Sequence, residues 1–112
     1  MQSQADSYEI TCSELKRRLD AGEELNVIDC REPWEHTLVK LADSTNIPMN
    51  DTPARIDEYR ALEGRTVVYC HHGVRSLNVV SWLRQQGVEN VSSLRGGIDA
   101  WSQTVAPELA RY

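Results

Sequence analysis

A chain of 112 residues, of which 40% are hydrophobic and 26% charged, has the composition of a globular protein and the length of a single domain. Its formal net charge of −5 argues against general nucleic-acid binding, because neutralising phosphates requires clustered lysine and arginine. No apolar run approaches the roughly 20 residues of a membrane span, and the opening stretch "MQSQADSYEI" lacks the order of a signal peptide. We therefore expect a cytoplasmic protein without membrane contact.

The first half of the chain predicts a helix followed by two short strands. We expect residues 1–7 to form a flexible N-terminus and residues 8–112 to form one domain. The stretch "TCSELKRRLDAG" predicts a helix, with Thr11 as its N-terminal cap and Gly22 after its end. The stretch "LNVIDC" predicts a buried strand that runs into the polar turn "REPWE", and "STNIP" predicts a short strand that stops at Pro48.

The second half alternates helices with strands. "DTPARIDEYRAL" predicts a helix capped by Thr52, with Pro53 in its first position. "RTVVYC" is apolar on both faces, as a central parallel strand should be, and "RSLNVVSWLRQQG" predicts a long helix that ends at Gly87. "ENVSSL" predicts a further strand, "RGG" a tight turn and "IDAWSQTV" a final helix. This alternation predicts an α/β domain whose mainly parallel sheet has helices on both faces.

The three cysteines favour two structural thiols and one reactive thiol. An odd number without Cys-x-x-Cys spacing disfavours a disulfide framework or a zinc site. Cys12 falls in the first turn of a predicted helix, a position that lowers a thiol pKa, but no loop or arginine surrounds it. Cys30 should point away from the face of Asp29 and be buried, with a resolving thiol as its alternative role.

Cys70 ends the predicted central strand and directly precedes a helix. In parallel sheets, ligands bind outside the carboxyl ends of the strands. The residues from Cys70 to the helix should curl over its N-terminus, with Gly73 free to adopt a positive φ. Unpaired backbone N–H groups and the helix dipole there favour an anion, so the Cys70 pKa should be lowered. The alternative is that Cys70 is only a small buried hydrophobic residue.

The neighbours of Cys70 allow more than one role each. Arg75 can add positive charge or tie the loop to a nearby acid, and Ser76 can offer its hydroxyl to the thiolate or to the loop backbone. His71 and His72 are better read as donors at the rim of the pocket than as metal ligands, because adjacent side chains diverge. A general base remains an alternative role for either histidine. We expect no metal and no cofactor.

Three motifs resemble those of the rhodanese-like sulfurtransferases. They are "YCHHGVRS", "VIDCREPWE" with "NIP", and "SLRGGIDAW", in family order and covering roughly residues 8 to 112. The resemblance implies a three-layer sandwich with a mainly parallel five-stranded sheet and helices on both faces. The ending "APELARY" is similar to rhodanese domains fused behind sulfur-carrier adenylyltransferases.

The resemblance implies a reaction of the thiosulfate sulfurtransferase type. Cys70 would take the outer sulfur of a small anionic donor such as thiosulfate and become a persulfide. Cyanide, a thiol or a sulfur-carrier protein would then accept that sulfur. The backbone of the loop would bind the sulfur, which makes its members substrate-binding residues: His71, His72, Gly73, Val74, Arg75 and Ser76.

Two other functions stay open. One is a non-catalytic or protein-to-protein sulfur-relay module. The other is a phosphatase or arsenate reductase. Related phosphatases have the same fold, but their loops have one more residue between the cysteine and the arginine than this chain has between Cys70 and Arg75. Asp29 and Arg31 match the Asp-x-Arg pair of the rhodanese family and should anchor a loop rather than bind substrate. Trp34 should line the cleft.

Overall fold

The computed structural model describes residues 7–112, so the flexible segment predicted over residues 1–7 lies outside the described residues except for Ser7. The strands are β1 (Glu9–Ile10), β2 (Asn26–Asp29), β3 (Thr45–Asn46), β4 (Thr66–Tyr69) and β5 (Val91–Leu94). The helices are α1 (Cys12–Asp20), α2 (Pro33–Leu38), α3 (Ile56–Ala61), α4 (Val74–Gln85) and α5 (Gly97–Thr104). In this part of the chain, no helix is long and apolar enough to cross a membrane.

The five strands form one sheet in the order β1-β5-β4-β2-β3, and each neighbouring pair is parallel. β4 lies at the centre, and all four of its residues are buried. The continuous apolar run "TVVY" suits this position, because helices cover both faces of a central parallel strand. The predicted α/β class with a five-stranded parallel sheet is confirmed.

Each face of the sheet packs against its own hydrophobic cluster. On one face, Val67 and Tyr69 of β4 contact residues of α1 and α5. On the other face, Val68 and Cys70 belong to a cluster built with residues of α3 and α4. The alternation along β4 therefore divides the core into two layers and assigns Cys70 to the layer of α3 and α4.

One predicted helix begins later than expected. The sequence predicts a helix that is capped by Thr52 and begins at Pro53, but a 3-10 turn over Met49–Asp51 comes first and α3 begins only at Ile56. Arg55, which precedes α3, has φ −113° and ψ 20°, and its N–H is shared between the carbonyls of Asp51 and Thr52. Tight turns therefore replace the first helical turn that is predicted to follow the Thr52 cap.

The N-terminus of α5 supports the residues that follow β4. The N–H of Ile98 donates to the Cys70 carbonyl at 2.9 Å, and the N–H of Asp99 donates to the His71 carbonyl at 3.0 Å. Gly97 has φ +62°, and a Cβ built on it would collide with those same two carbonyl oxygens. Only glycine lets the backbone of α5 approach the loop so closely.

We predict that Gly97→Ala destabilises the protein more than Gly87→Ala does. Gly87 also has a positive φ, +89°, but nothing lies within 4 Å of a Cβ built there. In both variants, the left-handed backbone strain lowers the free energy of unfolding by about 1 to 2 kcal/mol. The collision with the loop should lower it by about 1 to 3 kcal/mol more, in Gly97→Ala only. Equal losses of unfolding free energy, measured by urea unfolding, would show that the loop does not require this close approach.

Candidate active site around Cys70

The loop after β4 folds back so that its backbone N–H groups point at the Cys70 sulfur. Gly73 precedes α4 with φ 98°, as its predicted role requires, and α4 begins at Val74. The N–H of Gly73 donates to Cys70 Sγ at 3.1 Å, and the N–H of Ser76 donates to the same sulfur at 3.3 Å. Cys70 is only 1% exposed, so these donors replace water around the sulfur.

The Ser76 side chain extends this set of donors. Its Oγ lies 3.5 Å from Cys70 Sγ and 2.7 Å from the hydroxyl of Ser93 on β5. Both serines are buried. Of the two roles expected for the Ser76 hydroxyl, the contact with the sulfur is the one that the geometry favours.

The surroundings of Cys70 lower the pKa of its thiol to about 5. The largest cause is the adjacent Cys30 thiol, and burial acts in the opposite direction. Hydrogen bonds from the Ser76 hydroxyl and from the N–H groups of Ser76 and Gly73 lower the pKa further. These surroundings therefore favour the thiolate form of Cys70, and the thiolate is the reactive form of a cysteine.

Arg75 is tied to an acid and does not contact the sulfur. Its guanidinium binds both carboxylate oxygens of Glu35, at 2.8 and 3.1 Å. Burial opposes the ionisation of Glu35, but hydrogen bonds from Arg75 and from the Tyr112 hydroxyl outweigh it, and the pKa of Glu35 falls to about 2. The ion pair thus links the start of α4 to α2.

The remaining members of the loop lie at its rim. Val74 is 70% exposed, so its side chain lies on the surface. The rings of His71 and His72 stack at 4.0 Å between centroids, and His71 also stacks on Tyr112 at 3.9 Å. Burial, followed by the neighbouring His72, lowers the pKa of His71 and leaves it mainly neutral at neutral pH.

Tyr112 joins a buried ion pair to a part-buried one, a contact that sequence reasoning missed. Its hydroxyl donates to Glu35 Oε2 at 2.6 Å and accepts from Arg31 Nη1 at 2.8 Å. Burial and the bond to Glu35 raise the pKa of Tyr112, which keeps the hydroxyl protonated. Glu35 was visible only as the last residue of the polar turn "REPWE", and no sequence signal connected Tyr112 to the site.

Asp29 and Arg31 are fully buried and anchor the segment between β2 and α2. The guanidinium of Arg31 binds both oxygens of Asp29, at 2.8 and 2.7 Å, and also donates to the Val39 carbonyl. His36 Nδ1 lies 2.8 Å from Asp29 Oδ2. This burial agrees with the anchoring role expected for the pair, and the part of His36 was missed.

Other sequence expectations had mixed outcomes. Cys30 is buried, as expected, and it lies beside Cys70. For Cys12, burial raises the pKa of the thiol, which agrees with the structural role predicted for it and shows no lowering from its helical position. Trp34 is 62% exposed, and its ring contacts that of Tyr112 edge-on at 6.0 Å, which places it on the surface near the rim of the site.

One group among residues 7–112 could hold a metal ion. The nearest ligand atoms of His71, His72 and Asp99 all lie within 4.8 Å of one another, although the two histidines were expected to diverge. The Asp99 carboxylate already binds the guanidinium of Arg111 at 3.1 Å and the Gln103 amide at 2.8 Å. A metal ion at this rim would therefore compete with Arg111 and Gln103 for the Asp99 carboxylate.

Comparisons with known proteins identify a family and relatives of this chain. A family model described as "Rhodanese-like domain" matches residues 11–104. A protein of Allochromatium vinosum named "Sulfurtransferase" is 36% identical over 102 residues, which cover 91% of this chain and 94% of that protein. The "Probable adenylyltransferase/sulfurtransferase MoeZ" of Mycobacterium tuberculosis is 33% identical over 104 residues, which cover 92% of this chain but only 26% of that protein.

A solved structure has the same fold. The crystal structure of a rhodanese-related protein from Thermoplasma volcanium superimposes with a TM-score of 0.73 at 30% sequence identity. The superposition covers 93% of this chain and 98% of that one.

We predict that the Cys70 thiol ionises with a midpoint near pH 5. Because its pKa is lowered, the thiolate is present above that pH and is lost as the pH falls through it. The ultraviolet absorbance of thiolate, recorded as wild type minus Cys70→Ser, follows this group alone. A midpoint near the value of an ordinary free thiol would contradict the hydrogen-bond arrangement described above.

We also predict that Glu35→Gln destabilises the protein by about 1 to 2 kcal/mol, because it leaves Arg75 without a carboxylate partner at a part-buried site. The matched control is Glu58→Gln, which breaks the exposed pair of Glu58 with Arg55 on α3 and should have a much smaller effect. Urea unfolding measures both variants. Comparable losses would mean that the Glu35 pair is no more important than a surface ion pair.

Proposed function

The chain belongs to the rhodanese-like domain family, and we propose that it is a sulfurtransferase that moves a sulfane sulfur through a persulfide on Cys70. The observation that carries this proposal is a buried Cys70 sulfur that accepts hydrogen bonds from the N–H groups of Gly73 and Ser76. A site of this kind stabilises an anion on the cysteine and on any sulfur attached to it. The family resemblance of the motifs around Cys70 points to the same chemistry.

In the first half of the reaction, the Cys70 thiolate attacks the outer sulfur of a donor. With thiosulfate, a bond forms between Cys70 Sγ and the outer sulfur, the sulfur–sulfur bond of the donor breaks, and sulfite leaves with the bonding electrons. The product is a Cys70 persulfide. Backbone N–H groups of the loop from His71 to Ser76 then hold the terminal sulfur, which now carries the negative charge.

In the second half, an acceptor nucleophile attacks the terminal sulfur. The bond between the two sulfurs breaks, and Cys70 leaves as the thiolate. The donors that lower the Cys70 pKa also make it a good leaving group, since thiols of low pKa leave faster. Because a covalent intermediate separates the two halves, ping-pong kinetics are expected.

The rim of the site argues for a protein acceptor and against thiosulfate as the donor in the cell. His71 is mainly neutral, so it adds little attraction for a doubly charged anion. The exposed side chains near the site include Trp34 and Val74. Such a surface suits a protein, and the similarity to part of an adenylyltransferase/sulfurtransferase supports a sulfur-carrier protein as the partner.

The three free cysteines agree with the reducing cytoplasm that we expect.

The contacts of Arg75 disfavour a phosphatase or arsenate reductase function. Such an enzyme needs the arginine to bind the oxygens of the substrate anion, whereas Arg75 directs its guanidinium at Glu35. The loop is also one residue shorter than the loops of those enzymes. The sulfur-relay module remains the second candidate function, because the same persulfide would serve it.

We predict that the wild-type protein produces thiocyanate from thiosulfate and cyanide, and that Cys70→Ser produces none. The reason is that a hydroxyl at this position cannot form the persulfide. Thiocyanate is measured as its coloured iron complex. Cys12→Ala is the matched control, since Cys12 is a buried thiol on the other face of the sheet, and it should retain activity.

Other outcomes of this assay separate the candidates. If neither protein turns over thiosulfate but Cys70 accepts sulfur from a cysteine desulfurase, the relay function holds. If Cys70 accepts sulfur from neither source, both sulfur-transfer functions fail. Hydrolysis of an aryl phosphate that depends on Cys70 would instead support the phosphatase.

A further inference from the structure

Cys30 and Cys70 follow two neighbouring strands in register. β2 pairs with β4, with Asp29 opposite Tyr69, and the ladder continues one step further because the N–H of Cys30 donates to the Tyr69 carbonyl at 3.0 Å. Cys30 directly follows Asp29, and Cys70 directly follows Tyr69, so the two cysteines are the next pair in this register. Adjacent strands lie about 4.8 Å apart, so the two cysteines are cross-strand neighbours.

The two thiols also point to the same face of the sheet. Tyr69 belongs to the hydrophobic cluster of α1 and α5, whereas Cys70 and Cys30 both belong to the cluster of α3 and α4. Each cysteine is only 1% exposed. The two cysteine side chains therefore share an interior that excludes water, where a hydrogen bond between them would not be replaced by one to solvent.

Few other titratable groups face this pair. From α3, the buried Tyr59 hydroxyl has no hydrogen-bond partner within residues 7–112, and burial followed by nearby Cys30 raises its pKa, so it stays neutral. Asp29 and Arg75 are the charged groups that act on Cys30. Asp29 is neutralised by Arg31, and Arg75 by Glu35. Cys30 is thus the group best placed to respond to the charge on Cys70.

We propose that Cys30 is a positioning residue for sulfur transfer: its thiol donates a hydrogen bond to Cys70 Sγ from the neighbouring strand, so that the reactive sulfur is held in place and kept anionic. The role in catalysis rests on the proposed function, whereas the hydrogen bond itself does not. Sequence reasoning had considered Cys30 as a buried or a resolving thiol, and neither role includes donation to Cys70.

The ionisation of the two thiols agrees with a donor and an acceptor. The adjacent Cys30 thiol is the largest cause of the lowered Cys70 pKa. In turn, the adjacent Cys70, together with burial, raises the pKa of Cys30. Cys30 therefore keeps its proton while Cys70 is a thiolate, which makes Cys30 a donor rather than a second nucleophile.

The donor acts differently at successive stages of the reaction. When Cys70 Sγ attacks the sulfur donor, its negative charge moves to the terminal sulfur and the bond from Cys30 weakens. When the acceptor removes the terminal sulfur, charge returns to Sγ and the bond strengthens. The Cys30 thiol thus stabilises the departing Cys70 thiolate, and its loss should slow the second half of the reaction.

The test compares Cys30→Ala, which removes the donor, with Cys30→Ser, which replaces it by a hydroxyl donor. The Cys70 pKa is read from thiolate absorbance, each variant minus the same variant carrying Cys70→Ser. We expect Cys30→Ala to raise the Cys70 pKa by about one to two pH units, from the strength of a hydrogen bond to a charged group. Cys30→Ser and the control Cys12→Ala should stay close to the wild type.

Three results would overturn the proposal. An unchanged Cys70 pKa in Cys30→Ala would show that the thiol does not donate. Equal shifts in the alanine and serine variants would show that Cys30 acts through packing. A Cys30–Cys70 disulfide, formed with release of sulfide when the wild type is loaded with sulfur, would show that Cys30 is a nucleophile. Thermal unfolding of each variant verifies that the folded protein is being titrated.

This test is independent of the proposed function, because the titration needs neither a sulfur donor nor an acceptor. A pKa shift without any thiocyanate formation would support the hydrogen bond and refute the sulfurtransferase. Thiocyanate formation without a shift of the Cys70 pKa would support the sulfurtransferase and refute the hydrogen bond. Where both are found, a lower rate of persulfide discharge to cyanide in Cys30→Ala, restored in Cys30→Ser, supports the positioning role in catalysis.

Discussion

A negative charge on a buried sulfur is the constraint to which the rest of the site is adapted. Cys70 is almost inaccessible to water, and burial alone would keep its thiol protonated. Donors from neighbouring parts of the sheet reverse that effect. Cys30 follows β2, Gly73 and Ser76 lie between β4 and the first turn of α4, and the Ser76 hydroxyl in turn contacts Ser93 on β5. The parallel pairing of three strands therefore determines the ionisation of one thiol.

The loop itself is held by contacts that are distant in sequence. Two backbone N–H groups of α5 donate hydrogen bonds to the carbonyls of Cys70 and His71. On the other side, the Arg75–Glu35 pair joins α4 to α2, and Tyr112 connects this pair to Arg31. A loop fixed at both ends needs little rearrangement when charge moves between sulfur atoms, which is how preorganised donors assist a reaction.

Local features of the site could be predicted from the sequence, and long-range contacts could not. The positive φ of Gly73 and the start of α4 follow from a glycine between an apolar strand and an amphipathic helix. Glu35 and Tyr112 reach the site through tertiary packing, for which no spacing rule exists, and they were missed. The proximity of Cys30 and Cys70 depends on strand order and register, which sequence periodicity does not determine. The late start of α3 reflects a 3-10 turn that competes with the Thr52 cap.

The most direct measurement is the mass of the protein after incubation with a sulfur donor in the absence of any acceptor, followed by digestion and sequencing of the peptides under non-reducing conditions. The account predicts one additional sulfur atom on the peptide that contains Cys70, which disappears on addition of cyanide. Additional sulfur on the peptide of Cys12 or Cys30 instead, or on none of the three, would contradict a Cys70 persulfide as the intermediate.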